Sequence, residues 1–241
     1  MSKILITTKG ASNWRERLAS PEVHWKRRKS AMETVVSWEL AGKSISGIPE
    51  QVLEVFNRGG FIKTKLVLAV AEHKIPLLGA GGESQCDLWA LINTSVGMVS
   101  VSVEAKAGEP FGSGNRTLEA WLKSGKSKGS EENRKKRWRH VQENLPKTAS
   151  CAYGDVPYQI LQRVAAAIIE ARRFGLKNAA FIVQSFSSPD KSFQMFGKLC
   201  KALGIQVERG GMNFVQMGGI NLGIGWAECP FATDAEIASA L

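Results

Sequence analysis

Asp87 and, sixteen residues further on, the pair Glu104 and Lys106 are the side chains whose types and spacing could do chemistry. Two carboxylates brought to one spot repel each other, and a bound divalent cation is the usual means of keeping both ionised at neutral pH. A ligand set made only of oxygens favours Mg²⁺, Mn²⁺ or Ca²⁺ over zinc. Such a cation acidifies a bound water, bridges a phosphate oxygen and neutralises charge on a pentavalent transition state, while a nearby ammonium orients the water or the phosphate. That is the chemistry of metal-assisted phosphodiester hydrolysis. The plain alternative is a solvated cross-strand ion pair, which is worth little.

Period-two patterning says how the three residues come together. In the run 99–106 the apolar residues Val99, Val101 and Val103 fall on one face, and Ser100, Ser102, Glu104 and Lys106 on the other. Glu104 and Lys106 therefore point the same way, about 7 Å apart along a strand. Upstream, the apolar run 87–92 reads as a second strand beginning at Asp87, and the turn residues between Asn93 and Gly97 fold it back antiparallel. The hairpin brings Asp87 beside Glu104. A catalytic lysine here is expected to be exposed and to contribute little to folding.

These residues resemble the signature of the PD-(D/E)XK nuclease superfamily, the restriction-endonuclease-like fold. A wider stretch, about residues 30 to 200, is similar to one of its uncharacterised domain families, through Pro76-Leu77, Ser84-Gln85-Cys86-Asp87, Val103-Glu104-Ala105-Lys106 and Glu109-Pro110-Phe111-Gly112, then Tyr158-Gln159-Ile160-Leu161-Gln162-Arg163 and Ser185-Phe186-Ser187. Cys86 stands where the superfamily name has proline. The resemblance implies a three-layer α/β/α fold with a mixed central sheet, Asp87 and Glu104 as ligands of Mg²⁺ or Mn²⁺, and Lys106 positioning the nucleophilic water. It also implies in-line attack leaving a 5′-phosphate and a 3′-hydroxyl, and a glutamine on a following helix, here Gln159, as an accessory contact. An acid on the helix before the sheet often completes such sites. Glu33 and Glu39 are the candidates, on a helix expected over 30–41 with Ser30 as its cap. Many members of the superfamily cut as homodimers. The rival reading is the same fold kept as a non-catalytic module that binds nucleic acid or a protein.

The helix expected from Pro157 to Phe174 carries a wide apolar stripe through Ile160, Leu161, Val164 and Ile168, so it should pack hard on the sheet. Gln159, Gln162 and Arg163 form a polar strip along its edge.

A net charge of +10 suggests a polyanionic partner, and beside a phosphodiesterase site this is nucleic acid, DNA first and RNA as the alternative. The excess concentrates between Lys123 and Arg139, where Arg134, Lys135, Lys136 and Arg137 follow one another on a helix expected to be capped by Ser130. These four and Arg163 are the expected phosphate contacts. Trp121 and Trp138 could stack on bases or lie in the core. The segment 112–130, rich in Gly, Ser and Lys, is read as a loop that could close over substrate. The stretch 120–127 superficially matches a phosphate-binding loop, but its preceding residues look helical, its first glycine is missing, and no strand leads into it.

The chain reads as one domain, 1–241, with its core at about 30–205 and additions at both ends. No apolar run is long enough to cross a bilayer and no secretory signal is evident, so the expected address is the cytoplasm, without a membrane. Cysteines at 86, 151, 200 and 229 show no paired spacing for disulfides or zinc. Strands are expected at 3–7, 66–71, 179–183, 205–208 and 220–226, with helices at 49–58 and 193–203, giving an α/β unit with a mixed sheet.

Overall fold

The computed structural model describes residues 10–79, 82–147, 153–186 and 190–241. In chain order the elements are α1 (Ala11–Arg17), α2 (Pro21–His24), α3 (Ser30–Ala41), α4 (Glu50–Arg58), β1 (Lys65–Ile75), β2 (Ser84–Thr94), β3 (Gly97–Lys106), α5 (Leu118–Lys123), α6 (Lys128–Glu143), α7 (Tyr158–Arg173), β4 (Asn178–Phe186), α8 (Asp190–Leu203), β5 (Met212–Met217), β6 (Ile220–Cys229) and α9 (Asp234–Ala240). The strands form a six-stranded mixed sheet ordered β1-β2-β3-β4-β6-β5. β3, β4 and β6 run parallel, and β1, β2 and β5 add antiparallel edges.

Sequence alternation decides which face each layer of helices covers. Val99, Val101, Val103 and Ala105 of β3 pack with Val35 and Trp38 of α3 and Val52 and Val55 of α4. The opposite face is sealed by α7, whose Leu161, Val164 and Ile168 meet Phe181 and Val183 of β4. Every residue of β4 is buried, as a strand covered on both faces must be. Polar positions on the α7 side find partners: the Ser100 hydroxyl accepts from the Trp89 indole and donates to the Ala167 carbonyl of α7, both at 2.9 Å. Gly225 allows the close approach of α4 to β6, because a Cβ there would lie 2.8 Å from both Val55 Cγ1 and Ile182 Cδ1.

Several expectations change. The strand expected at 205–208 is absent, and the antiparallel edge is β5 instead. β1 continues four residues past Ala71, and β2 begins at Ser84, so Asp87 lies inside its strand. Ser30 is the first helical residue of α3 and its side chain makes no cap bond. The cap of α6 is Ser127, in a reciprocal capping box with Ser130. Segment 112–130 carries a short 3₁₀ turn, α5 and the start of α6, so it is largely structured. The expected strand at 3–7, Ala80-Gly81, Cys151 and Ser187 lie outside the described residues. No helix among the described residues is long and apolar enough to cross a membrane.

Candidate active site

The β2–β3 hairpin turns over Ser95 and Val96, with Thr94 opposite Gly97, and its ladder runs to Leu88 opposite Val103. Asp87 and Glu104 follow at the next position. There the Asp87 carboxylate replaces the missing main-chain acceptor, taking the Ala105 N–H at 2.6 Å. On the other side, β1 pairs Ala71 with Leu88 and His73 with Cys86, which sets Glu72 across from Asp87. Three carboxylates, Glu72, Asp87 and Glu104, thus stand in a row across three strands. Glu72 adopts φ 51°, in the left-handed region that a glutamate enters only with strain. Its carboxylate accepts from the Gln85 amide at 2.6 Å.

Glu104 is 1% exposed and lies between two cations. Lys106 Nζ donates to Oε1 at 2.5 Å and Arg163 Nε, from α7, donates to Oε2 at 2.6 Å. Arg163 also donates to the Ser84 hydroxyl at 2.8 Å. Lys106 is 5% exposed, with its ammonium 5.2 Å from the centre of the Phe111 ring, so the lysine is buried and not exposed as expected.

The electrostatics divide the row. Burial raises the Glu104 carboxyl, but Lys106 and Arg163 outweigh it and hold the group below the usual carboxylate range. Burial, then repulsion from Glu104, pushes Asp87 up to about 7. Burial, then repulsion from Asp87, pushes Glu72 up to about 8. The Glu72–Asp87 end of the row is therefore short of positive charge. In kind this donor set suits a hard divalent cation: each of these two carboxylates spends one oxygen on a hydrogen bond and has a second to offer. As the side chains stand, no three acidic, histidine or cysteine groups among the described residues converge tightly enough to ligate one ion, since Glu104 is drawn to Arg163 and Lys106.

Glu33 and Glu39 are not part of this row. α3 lies on the face opposite α7, and Glu33 uses its two oxygens on the backbone N–H groups of Arg28 and Ala232, each at 2.8 Å. Glu39 is half-buried on the same helix. The acid nearest to the expected pair in the sheet is Glu72, which sequence reasoning missed by ending β1 at Ala71. The continuation of the strand was legible in the burial that alternates on through Ala71, His73 and Ile75, but at Glu72 the strand turns over, since Ala71 packs on the α3 side whereas His73 meets Glu170 and Ile75 meets Ala166, both of α7.

The Glu109-Pro110-Phe111-Gly112 block supports the site. Glu109 Oε1 accepts the Ser30 N–H and hydroxyl, at 3.1 and 3.3 Å, and Oε2 accepts the Ala107 N–H at 2.6 Å. A side chain far along the chain thus caps α3, and burial's upward push on this carboxyl is outweighed by those N–H bonds, which hold it low. Phe111 fills the space beneath Lys106, and Gly112, at φ 67°, turns the chain past Gln159.

Gln159, Gln162 and Arg163 line a cleft of about 660 Å³ with residues of α5 and α6. Within the basic run, Lys135, Lys136 and Arg139 are exposed, but Arg137 is buried, donating to the Tyr158 hydroxyl, the Gly82 carbonyl and Gln162 Oε1. Arg137 is therefore no part of a solvated face. Arg134 is half-buried, and its guanidinium lies 4.9 Å from the Trp121 ring centre. Trp121 stacks on Tyr158, ring centres 3.6 Å apart, and Trp138 meets Tyr153 edge-on, so both tryptophans spend aromatic surface on the protein itself. The resemblance of 120–127 to a phosphate loop fails, because α5 and not a strand leads into Gly125.

Comparisons with curated proteins and with solved structures find no match. One family model matches, over residues 7–230, and on that match the chain belongs to the family described as Domain of unknown function (DUF6946).

Proposed function

We propose that this protein is a Mg²⁺- or Mn²⁺-dependent nuclease of restriction-endonuclease-like fold that hydrolyses phosphodiester bonds of DNA, with RNA the alternative substrate. The observation that carries the reading is the row Glu72, Asp87 and Glu104 with Lys106 bonded to Glu104, acids from three strands with too little positive charge at one end. A divalent ion bound by these acids would supply an acidified water and neutralise charge on the phosphorane. Asp87 and Glu72, each holding one carboxylate oxygen by a fixed hydrogen bond, would present the other to the ion. Lys106, anchored over Phe111, would hold the attacking water or a phosphate oxygen in line. Arg163 and Gln159, both on α7 and both lining the cleft, would meet the substrate backbone. The mixed sheet with helices on both faces is compatible with the three-layer arrangement that the resemblance implies, and the exposed Lys135 and Lys136 supply a basic face for a polyanion.

A second reading has its own observation. Arg163 sits on Glu104 at 2.6 Å while Lys106 takes the other oxygen, as in a fold that keeps the acid only as the centre of an ion-pair network and binds nucleic acid without cutting it. Calorimetry separates the two. Mg²⁺ and Mn²⁺ are titrated into the wild type, Asp87→Asn and Glu104→Gln, with and without a short duplex, and cleavage of a labelled oligonucleotide is followed in parallel. Cation binding that either substitution abolishes, with metal-dependent cleavage, supports the nuclease; no cation binding in any condition selects the binding module.

A further inference from the structure

The cleft beside the acids is charged beyond what one phosphodiester requires. Four arginines line it, Arg116, Arg134, Arg137 and Arg163, against one acid, Glu83. Its floor is shared with the acidic row: Gln85 and Arg163 line the cleft and at the same time hold Glu72 and Glu104. One wall is kept close by Gly79, at φ 95°, where a Cβ would lie 2.9 Å from the Asn133 carbonyl of α6.

The arginines differ in their commitments. Arg137 is fixed through all three of its nitrogens. Among the described residues the Arg134 guanidinium makes one bond, to the Trp121 carbonyl at 2.7 Å, and its fork leans on the Trp121 ring with donors left over. Arg116 is exposed at the rim, where its carbonyl accepts from Tyr158 N–H and its guanidinium makes no bond among the described residues. In the same cleft Gln159 Oε1 is buried without a hydrogen-bond partner among the described residues. An orphaned acceptor is costly, and a ligand hydroxyl or N–H satisfies it where a bare phosphate does not.

We propose that this cleft binds a nucleotide through a phosphomonoester, with Arg134 and Arg116 on the phosphate and Gln159 on a sugar hydroxyl or base N–H. A phosphomonoester carries nearly two negative charges at neutral pH and three terminal oxygens, whereas an internal diester carries one charge. A volume of about 660 Å³ accommodates a nucleotide. Two sources present this chemistry, a free nucleoside monophosphate and the phosphorylated end of a strand. Placement next to the acids makes the strand end the expected one, and that part of the inference rests on the nuclease reading.

The test is binding without divalent cations, in EDTA, read by fluorescence anisotropy. The probes are a labelled single strand bearing a 5′-phosphate, the same strand with a 5′-hydroxyl, one with a 3′-phosphate, and an unlabelled nucleoside 5′-monophosphate as competitor. One phosphorylated strand is expected to bind about tenfold or more tightly than the hydroxyl strand, and Arg134→Gln and Arg116→Gln to remove that preference while melting within a few degrees of wild type. Competition by the monophosphate at an affinity equal to the strand's assigns the free nucleotide as ligand; weaker competition assigns the strand end. Equal binding of phosphorylated and hydroxyl strands, or a preference that survives both substitutions, overturns the inference. A phosphate preference in a protein that neither binds Mn²⁺ nor cuts would sink the nuclease reading and leave the phosphate site standing.

Discussion

Replacing Glu104 by glutamine keeps the shape of the side chain and removes the charge on which two buried cations depend. The Arg163 and Lys106 side chains are 9% and 7% exposed, so neither can turn to water without moving. Breaking a buried ion pair by neutralising one partner typically costs about 3–5 kcal/mol, since the remaining charge is left in a poorly solvated place. Part of this returns. Glu104 repels Asp87 and Glu72, and relieving two such repulsions at partly solvated distances is worth on the order of 1 kcal/mol. The net expectation for Glu104→Gln is a loss of about 2–4 kcal/mol, which for a chain of this size lowers Tm by about 4–16 °C. Urea unfolding at pH 7, followed by tryptophan fluorescence and circular dichroism, measures it. Adding Arg163→Met should recover much of the loss, since a buried pair exchanged for apolar volume is near neutral, and the double variant should therefore fall well short of the additive sum. A loss below about 0.5 kcal/mol, or strict additivity with Arg163→Met, would refute the picture of a dry ion-pair network.

Other outcomes follow from the same geometry. Glu72 and Asp87 have folded values near 8 and 7, above those of the unfolded chain, so the native state binds the extra protons and stability falls as pH rises from about 5 to 8. Allowing for solvent screening we expect about 1–3 kcal/mol over that window, with Glu104 and Glu109 acting oppositely below it, and thermal melts across pH 4 to 9 check it. Millimolar Mn²⁺ should flatten that decline if the row binds the ion, and a decline unchanged by Mn²⁺ would count against the metal site. Lys106→Met should abolish cleavage and also lower Tm by several degrees, because the lysine is buried against Glu104 and Phe111; an unchanged melt or full activity contradicts that placement. Neutralising Lys135 and Lys136 together should lower the slope of log K against log salt by about 1–2 without unfolding the protein, whereas Arg137→Gln should act chiefly on stability.

Where the sequence was easy to read, one physical signal dominated. The alternation of Val99, Val101 and Val103 with Ser100, Ser102, Glu104 and Lys106 marks a strand with one apolar and one polar face, and the β2–β3 hairpin follows it residue by residue. The buried run 179–183 likewise reads as the all-buried β4. Failures came where a tertiary partner overrode local grammar. Ser30 looks like a helix cap, but the cap comes from Glu109 in another part of the chain, which no local window contains. Arg137 looks like its solvated neighbours Lys135 and Lys136, yet it turns inward because Tyr158, Gln162 and the Gly82 carbonyl supply its acceptors. Residues 205–208 have strand-like composition but no strand to pair with, since β6 takes β5, beyond the turn that follows them, as its antiparallel partner. Glu72 was passed over for the complementary reason: an acid inside an apolar strand reads as the strand's end, although the alternation runs on to Ile75, and what the acid faces shows only in the register.

The backbone of Glu72 adds a cost of its own. An acid whose carboxyl is pushed up by burial and then by Asp87, on a residue forced to φ 51°, is unfavourable twice over at one position. Glycine there would relieve both the torsion and the repulsion. On the nuclease reading, thermostability and metal binding pull this codon in opposite directions, and a library selected only for heat resistance would be drawn to position 72 and return sturdier proteins that have lost the proposed ligand.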